Sequence, residues 1–277
     1  MRIFIITMDD PVKTYGFIQH IIDHKKDQIV GLAVAEGDRL RIGKKRSKAA
    51  YLLSLLLIMG LRYFLAYSFT SLWFRLRKKA NSWGIAPDPS IAAYAHKQGI
   101  PTWRIKSPNS KSFQKELRDL DVDVIINQSQ SIIKKALLDI PRIGVVNRHN
   151  ALLPKNRGRL TPFWVLFKGE QVSGVSIHFV TEGIDAGEII VQKAIAVGPR
   201  ETFNSLVRKN YELAPKAMVE ALDKLERGSA DFLPNPDEEA TYNTVPTLRQ
   251  AWQYRVGRLL GTARRDSYNP QAARQKA

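Results

Sequence analysis

Three side chains between residues 147 and 185 could carry chemistry together. Asn147 and His149 stand two apart in NRHN, at the end of a strand-like run, so both side chains point to one face. Asp185 follows in GIDAGEII (183–190), on a tight turn between Gly183 and Gly187. A carboxamide is a neutral donor that can hold a developing oxyanion, and imidazole is the proton carrier for neutral pH. A nearby carboxylate would fix the imidazole's tautomer and raise its pKa. No nucleophilic hydroxyl or thiol stands alongside, so a substrate must bring the nucleophile. That set suits acyl transfer to an amine. His178 is a second histidine at a strand end beside polar groups. His20 and His24 sit four apart as HIIDH, without the glutamate of a zinc protease or an obvious third ligand. They read as a solvated helix face, His96 reads as another surface helix residue, and no metal site is expected.

The elements that must position these groups alternate. A strand over Arg2–Met8 leads into Asp9-Asp10-Pro11, a helix start signal. A helix through Ile21-Ile22 and a strand over Ile29–Ala35 complete a first unit. After an interruption come helix 88–98 behind Pro89, strand 101–105, helix 111–119, strand 122–127, helix 131–138 and strand 143–147. Such alternation predicts an α/β fold with βαβ units and a mostly parallel sheet. VDVIIN at 122–127 is apolar enough for a central strand covered on both faces. Beyond Pro162, strands near 173–180 and 188–197 read as an antiparallel pair around the Gly183–Gly187 turn, followed by a helix over about 201–227. The organisation is therefore a catalytic unit over 1–227 and a basic C-terminal tail over 228–277.

Of 277 residues, 44% are hydrophobic and 25% charged, which argues against wholesale disorder and allows a core without staples. With no cysteine, disulfides, thiolate zinc sites and a cysteine nucleophile are excluded. MRIFIITMDD enters a strand directly, so no signal peptide is expected. The net charge of +17 suggests a nucleic-acid binder until it is located. Residues 39–79 hold eleven Lys/Arg and no acid, residues 247–277 hold seven Lys/Arg and one acid, and the remainder is formally neutral.

Residues 49–74 are apolar on every face apart from Arg62, which means a buried helix or a membrane segment. KKRSK (44–48) and RLRKK (75–79) both favour the cytoplasmic side. Spanning would also separate the first two strands from their sheet. A monotopic or helix-hairpin insertion over 39–79, broken near Gly60 and Arg62, meets both constraints. Tyr51, Tyr63, Tyr67 and Trp73 suit an interface. The competing reading is a helix pair buried between protomers, which leaves a homo-oligomer open.

The segments NRHNALLPKNRG (147–158), TPFWVLFKGEQVSGVSIHFVTEGIDAGEIIVQ (161–192) and DVIINQSQSIIKKALLDIP (123–141) together resemble the folate-dependent formyltransferase family. That family includes methionyl-tRNA, glycinamide-ribonucleotide and amino-sugar N-formyltransferases. The resemblance covers roughly residues 85–225, with an Asn-x-His-x-x-Leu-Leu-Pro motif and an Asp-x-Gly turn in the right order. It implies a Rossmann-like formyltransferase fold carrying a hydrophobic insertion after its second strand. It implies that Asn147 holds the formyl oxygen of 10-formyltetrahydrofolate and that His149 shuttles protons as a tetrahedral intermediate forms and collapses. Asp185 would polarise the histidine and order a water. His178 would line the acceptor or folate pocket, Gln128, Ser129 and the loop to Ser131 would flank the pterin, and Leu153, Pro154 and Gly158 would complete the pocket. Asn156, Arg157 and Gly158 also read as turn chemistry before the next helix.

Two departures stand out. Arg148 replaces a usual aliphatic residue and, pointing away from the site, would meet an anionic group or a structural acid. Asn150 stands where a small residue or proline is common. The expected function is N-formyl transfer to a primary amine, an amino sugar on a nucleotide or lipid, on the inner, cytoplasmic membrane face. Anionic lipid would meet residues 39–79. A tail this short makes tRNA an unexpected partner. A formyl-folate hydrolase and a non-catalytic membrane adaptor are the competing readings.

Overall fold

Strand runs that are apolar on both faces become the middle of a sheet covered from both sides. The computed structural model describes residues 1–36, 47–229 and 231–260. Its elements are β1 (Ile3–Thr7), α1 (Tyr15–Lys25), β2 (Ile29–Ala35), α2 (Lys48–Met59), α3 (Leu61–Ser82), α4 (Ile91–Lys97), β3 (Thr102–Ile105) and α5 (Lys111–Asp119). They continue as β4 (Val124–Gln128), α6 (Lys135–Leu138), β5 (Gly144–His149), β6 (Arg157–Gly158), α7 (Thr161–Phe167), β7 (Val172–Phe179), β8 (Ile189–Ala196), α8 (Phe203–Glu226), β9 (Tyr242–Asn243) and α9 (Leu248–Leu259). The sheet order is β3-β2-β1-β4-β5-β7-β8. β1 to β5 run parallel, and β7 and β8 are antiparallel, as the expected α/β class requires.

Strand alternation divides the core. Ile3 and Ile5 join Ile18, Ile21 and Ile22 of α1 and Ala217 and Leu222 of α8 on one face. Phe4 and Ile6 join Phe113 and Leu117 of α5 on the other. The chain lays down β1, β2 and β3 in one direction and then returns to place β4 on the far side of β1. That reversal opens a crevice at the carboxyl ends of β1 and β4, where open α/β sheets bind ligands.

Several boundaries differ from expectation. α1 begins at Tyr15, because Asp10 Oδ1 accepts from the Val12 and Lys13 amides (both 2.9 Å) and makes a turn instead of a helix cap. The helix expected over 131–138 shrinks to Lys135–Leu138. Asn127 Oδ1 takes the Ser129 amide (3.1 Å) and Asn109 Oδ1 takes the Lys134 amide (2.9 Å), which holds the intervening chain as a loop. β5 runs on to His149.

The insertion is a helix pair broken at Gly60, whose φ of 79° favours glycine. Its all-round apolarity has two separate causes. One face of α3, with Tyr63, Ala66, Tyr67 and Thr70, turns toward the crevice, and Phe74 below it is buried. The opposite stripe, Leu61, Leu65, Phe69, Leu72 and Leu76, keeps helical spacing and is exposed. Ile58 of α2 enters a third core cluster with Phe163, Phe203, Leu206 and Tyr254. Burying Ile58 and Phe74, at roughly 1.5–3 kcal/mol each, anchors the pair more firmly than a surface ion pair of about 0–1 kcal/mol would. No helix among the described residues is long and apolar enough to cross a membrane. The basic stretch 39–46 lies outside the described residues, as does the end of the chain from 261.

Beyond 228 the described chain wraps the body and adds α9, which the sequence reading did not anticipate. Ala251 and Tyr254 of α9 pack into the third cluster beside α2, and β9 pairs with β6.

Candidate active site

β5 delivers the first two groups to the crevice. Its register against β7 sets Asn147 opposite His178 and His149 opposite Ser176. Asn147 Oδ1 accepts from Gln128 Nε2 at 2.7 Å, and the same nitrogen donates to the Asn127 carbonyl at 2.9 Å. With the carboxamide oxygen so engaged, the Asn147 NH2 is the end left to face the crevice. Gln128, expected beside a pterin, therefore also acts on the orientation of Asn147.

His149 is 5% exposed, so its ring is held by the protein. Nε2 lies 2.8 Å from the Asn156 carbonyl and Nδ1 lies 3.4 Å from Asp185 Oδ2. The short contact assigns a proton to Nε2, since a carbonyl can only accept. Nδ1 is then the nitrogen left to take a proton and give it up, 3.4 Å from the Asp185 carboxylate. Asp185 has a φ of 50°, a left-handed conformation tolerated by aspartate between glycine-bearing turns. Its Oδ2 also accepts from the Gly158 amide at 2.8 Å, and Asn235 Nδ2 donates to its carbonyl at 2.8 Å.

His178 takes a different place from the one expected. It is 1% exposed and sits behind Asp185, with Nε2 3.6 Å from Asp185 Oδ1 and Nδ1 2.7 Å from the Phe179 carbonyl. Burial lowers its pKa from 6.5 to about 4 against the pull of Asp185, with His149 adding to the depression, so the ring is neutral. It stands beside Asp185 without a hydrogen bond to it and does not line the crevice.

Leu153, Pro154 and Ser129 also fall outside the lining. The Leu153 amide donates to Ser176 Oγ (3.1 Å) and its carbonyl accepts from Gln192 Nε2 (2.9 Å), which pins the loop ahead of Pro154. Ser129 Oγ donates to Asn127 Oδ1 (2.8 Å) and closes the loop after β4. Gly158 does line the crevice, and it must be glycine: with φ at 100°, an added Cβ would lie 2.1 Å from the Asn243 carbonyl oxygen.

Asn156 and Arg157 explain the rest of the amide-rich loop. Asn156 Nδ2 donates to both Glu170 oxygens (3.0 and 2.9 Å), and its Oδ1 accepts from Lys168 (2.9 Å) and Asn243 (2.8 Å). The Arg157 side chain is fully buried and donates to Asp237 (2.5 Å), Tyr242 (2.8 Å) and Asn235 (2.9 Å). The segment beyond 228 thus locks the loop that carries Gly158. Its short patterns gave no sequence signal for this, because Asn235, Asp237 and Asn243 are ordinary loop residues until they meet Arg157 and Asn156.

The crevice encloses about 880 Å³. Asn147, His149, Asp185, Gln128 and Gly158 line its floor, and Tyr51, Tyr63 and Tyr67 of the helix pair line its roof. The sequence reading sent those tyrosines to a membrane interface and Arg148 away from the site. The tyrosines border the crevice, and Arg148, which leaves β5 on the face opposite Asn147 and His149, still reaches its wall. Residues 77–222 match the family model described as formyl transferase. The chain belongs to that family.

A methionyl-tRNA formyltransferase of Thermotoga maritima is 38% identical over 159 residues, covering 57% of this chain and 50% of that protein. This chain spans about half the length of the curated relatives it matches. A sugar N-formyltransferase structure from a Shewanella species superposes with a TM-score of 0.56 at 14% identity, covering 97% of this chain and 91% of that one. An N-formyltransferase from Helicobacter canadensis, in complex with folinic acid and dTDP-3-aminofucose, superposes with a TM-score of 0.52 at 15% identity, covering 88% and 71%. At these identities the structures share the fold.

Proposed function

We propose that this chain transfers the formyl group of 10-formyltetrahydrofolate to a primary amine, an amino sugar carried on a nucleotide or lipid, at the inner face of a membrane. The observation that carries the reading is the Asn147 carboxamide. Gln128 fixes its oxygen, so its NH2 is presented to the crevice next to the His149–Asp185 pair. The donor supplies the activated formyl group, and the crevice volume of about 880 Å³ lies in the range that accommodates a ligand of drug size.

Each residue then has a definable task. Asn147 donates to the formyl oxygen as it gains charge, an interaction worth about 10²–10³ in rate when preorganised. His149 accepts the proton that the attacking amine must lose and returns it to the nitrogen that leaves, worth about 10²–10⁴. Asp185 favours that transient charge and is itself held by the Gly158 amide. The tyrosine-lined roof limits water at the reacting carbon, which favours transfer over hydrolysis.

The membrane placement rests on α3. Leu61, Leu65, Phe69, Leu72 and Leu76 form an outward apolar stripe, and Arg75, Arg77 and Lys79 stand at its end. An anionic surface adds about 1 kcal/mol per basic residue.

The test mixes detergent-purified protein with 10-formyltetrahydrofolate and follows tetrahydrofolate release with and without nucleotide-linked amino sugars, lipid-linked amino sugars and methionyl-tRNA. Release that depends on an amino sugar supports the reading. Release without an acceptor identifies a hydrolase, and release only with methionyl-tRNA replaces the amino sugar as acceptor.

A further inference from the structure

Arg148 had two destinations open to it, an acid of the protein or an anion from outside. Among the described residues no acid meets it. Its guanidinium carbon stands 4.5 Å over the Phe17 ring and 5.2 Å over the Tyr211 ring. Its Nε and Nη1 atoms are buried with no hydrogen-bond partner. The nearby carboxylates are committed elsewhere. Asp9 pairs with Lys78, Glu212 lies 3.8 Å from Arg208, Asp185 holds His149 and Gly158, and Asp10 accepts two backbone amides. Lys13 joins Arg148 in the crevice wall with its Nζ 5.7 Å over the Tyr67 ring.

Burial pulls the Arg148 pKa down from its ordinary value, with Tyr211 opposing. A guanidinium remains charged at neutral pH all the same. Aromatic faces hold such a cation by cation–π attraction, but they leave its N–H donors unsatisfied, which is costly in a buried position. A planar fork with two unpartnered donors, in the wall of a ligand crevice beside a second cation, matches the oxygens of a phosphate group.

We propose that Arg148, assisted by Lys13, is the anion subsite of this crevice and holds a phosphate or diphosphate group carried by the amine acceptor. The inference rests on the formyl-transfer reading and adds the acceptor's second anchoring group. Asn147 and His149 leave β5 on one face and Arg148 leaves it on the other, so the acceptor curls around the strand end. Its amine lies at the catalytic face, and its phosphate lies in the crevice against the Arg148 guanidinium and Lys13. The phosphate also explains why an arginine is tolerated in this strand.

Two measurements test the subsite, and the first requires no turnover. Millimolar pyrophosphate should raise the melting temperature of the wild-type chain above that in chloride of equal ionic strength. Arg148→Met, close in length and apolar, should lose that rise. Equal stabilisation of wild type and Arg148→Met, or none in either, overturns the subsite even if formyl transfer proves absent. In the turnover assay, Arg148→Met should lose tenfold or more in kcat/KM on a phosphate-bearing amine relative to a phosphate-free one. Arg148→Lys should recover part of the loss. A rise in the KM of the folate donor instead would assign Arg148 to a donor carboxylate and overturn the proposal. A nucleoside diphosphate and a long-chain alkyl phosphate, compared as competitors of the amine, distinguish a soluble carrier from a lipid one.

Discussion

On the floor of the crevice, Asn147, His149 and Asp185 are held by hydrogen bonds of 2.7–2.8 Å from or to Gln128, Asn156 and Gly158. On its roof, α3 meets the body through Phe74 and the Lys78–Asp9 pair and leaves the stripe Leu61, Leu65, Phe69, Leu72 and Leu76 in solvent. The floor fixes atoms to the fraction of an ångström that proton transfer needs. The roof supplies apolar area on two sides at once, inward to the substrate and outward to whatever phase the helix touches. Polar atoms need specified partners, whereas apolar area is non-directional, so one face can be rigidly defined and the other broadly adaptable.

Substitutions on the floor should have the larger effects. His149→Ala should lower kcat by about 10²–10⁴ and Asn147→Ala by about 10²–10³, with the fold intact by circular dichroism. Loss below tenfold in both would dissolve the distinction between floor and roof. Gly158→Ala combines a φ of 100° with a 2.1 Å approach to Asn243. It should lose about 3 kcal/mol in urea unfolding, and formyl transfer should fall with it as Asp185 loses its amide donor.

His178 gives the floor a pH signature. Its pKa falls from 6.5 in the unfolded chain to about 4 in the folded one, so the unfolded state binds the extra proton first. The stability contribution is fully present above about pH 6.5 and is lost as the pH falls toward 4, up to about 3 kcal/mol in all. Urea midpoints at pH 7 and pH 5 should diverge for the wild type and converge for His178→Gln. Gln128→Met, which frees the Asn147 carboxamide without touching the reacting atoms, should lower kcat about tenfold through a lost hydrogen bond of about 1–1.5 kcal/mol. An unchanged kcat would mean that the carboxamide orients itself.

The roof should respond the other way. Leu65→Ser, Phe69→Ser and Leu72→Ser together should shift stability by less than about 0.5 kcal/mol per site, because these side chains are already exposed. The same triple change should abolish co-sedimentation with anionic phospholipid vesicles. Retained sedimentation would remove the membrane from the account and leave the stripe to a protein partner.

Much of the architecture was legible because it follows from local periodicity. Ile3–Thr7 and Val124–Gln128 open on apolar runs, are buried at every position and became central strands, and Gly60 broke the helix pair where expected. Asn147, His149 and Asp185 were legible as a set from side-chain chemistry and motif order alone. The folded chain brings them together, with Gln128 beside Asn147.

The sequence by itself therefore determined the α/β alternation, the break in the insertion and a set of residue types suited to acyl transfer, to which the family resemblance added the formyl group. Tertiary structure alone decided that His178 backs Asp185 instead of lining the crevice, and that Leu153 and Pro154 are scaffold. It alone set Tyr51 and Tyr67 against the crevice and left Arg148 without an acid among the described residues. It alone bound residues 235–243 onto Arg157 and Asn156. The physical reason is range. Helical and strand periodicity are set by neighbours within a few positions, and a side chain's chemistry is intrinsic to it. Which buried donor meets which acceptor depends on segments more than 70 positions apart packing together, as Arg157 and Asp237 do.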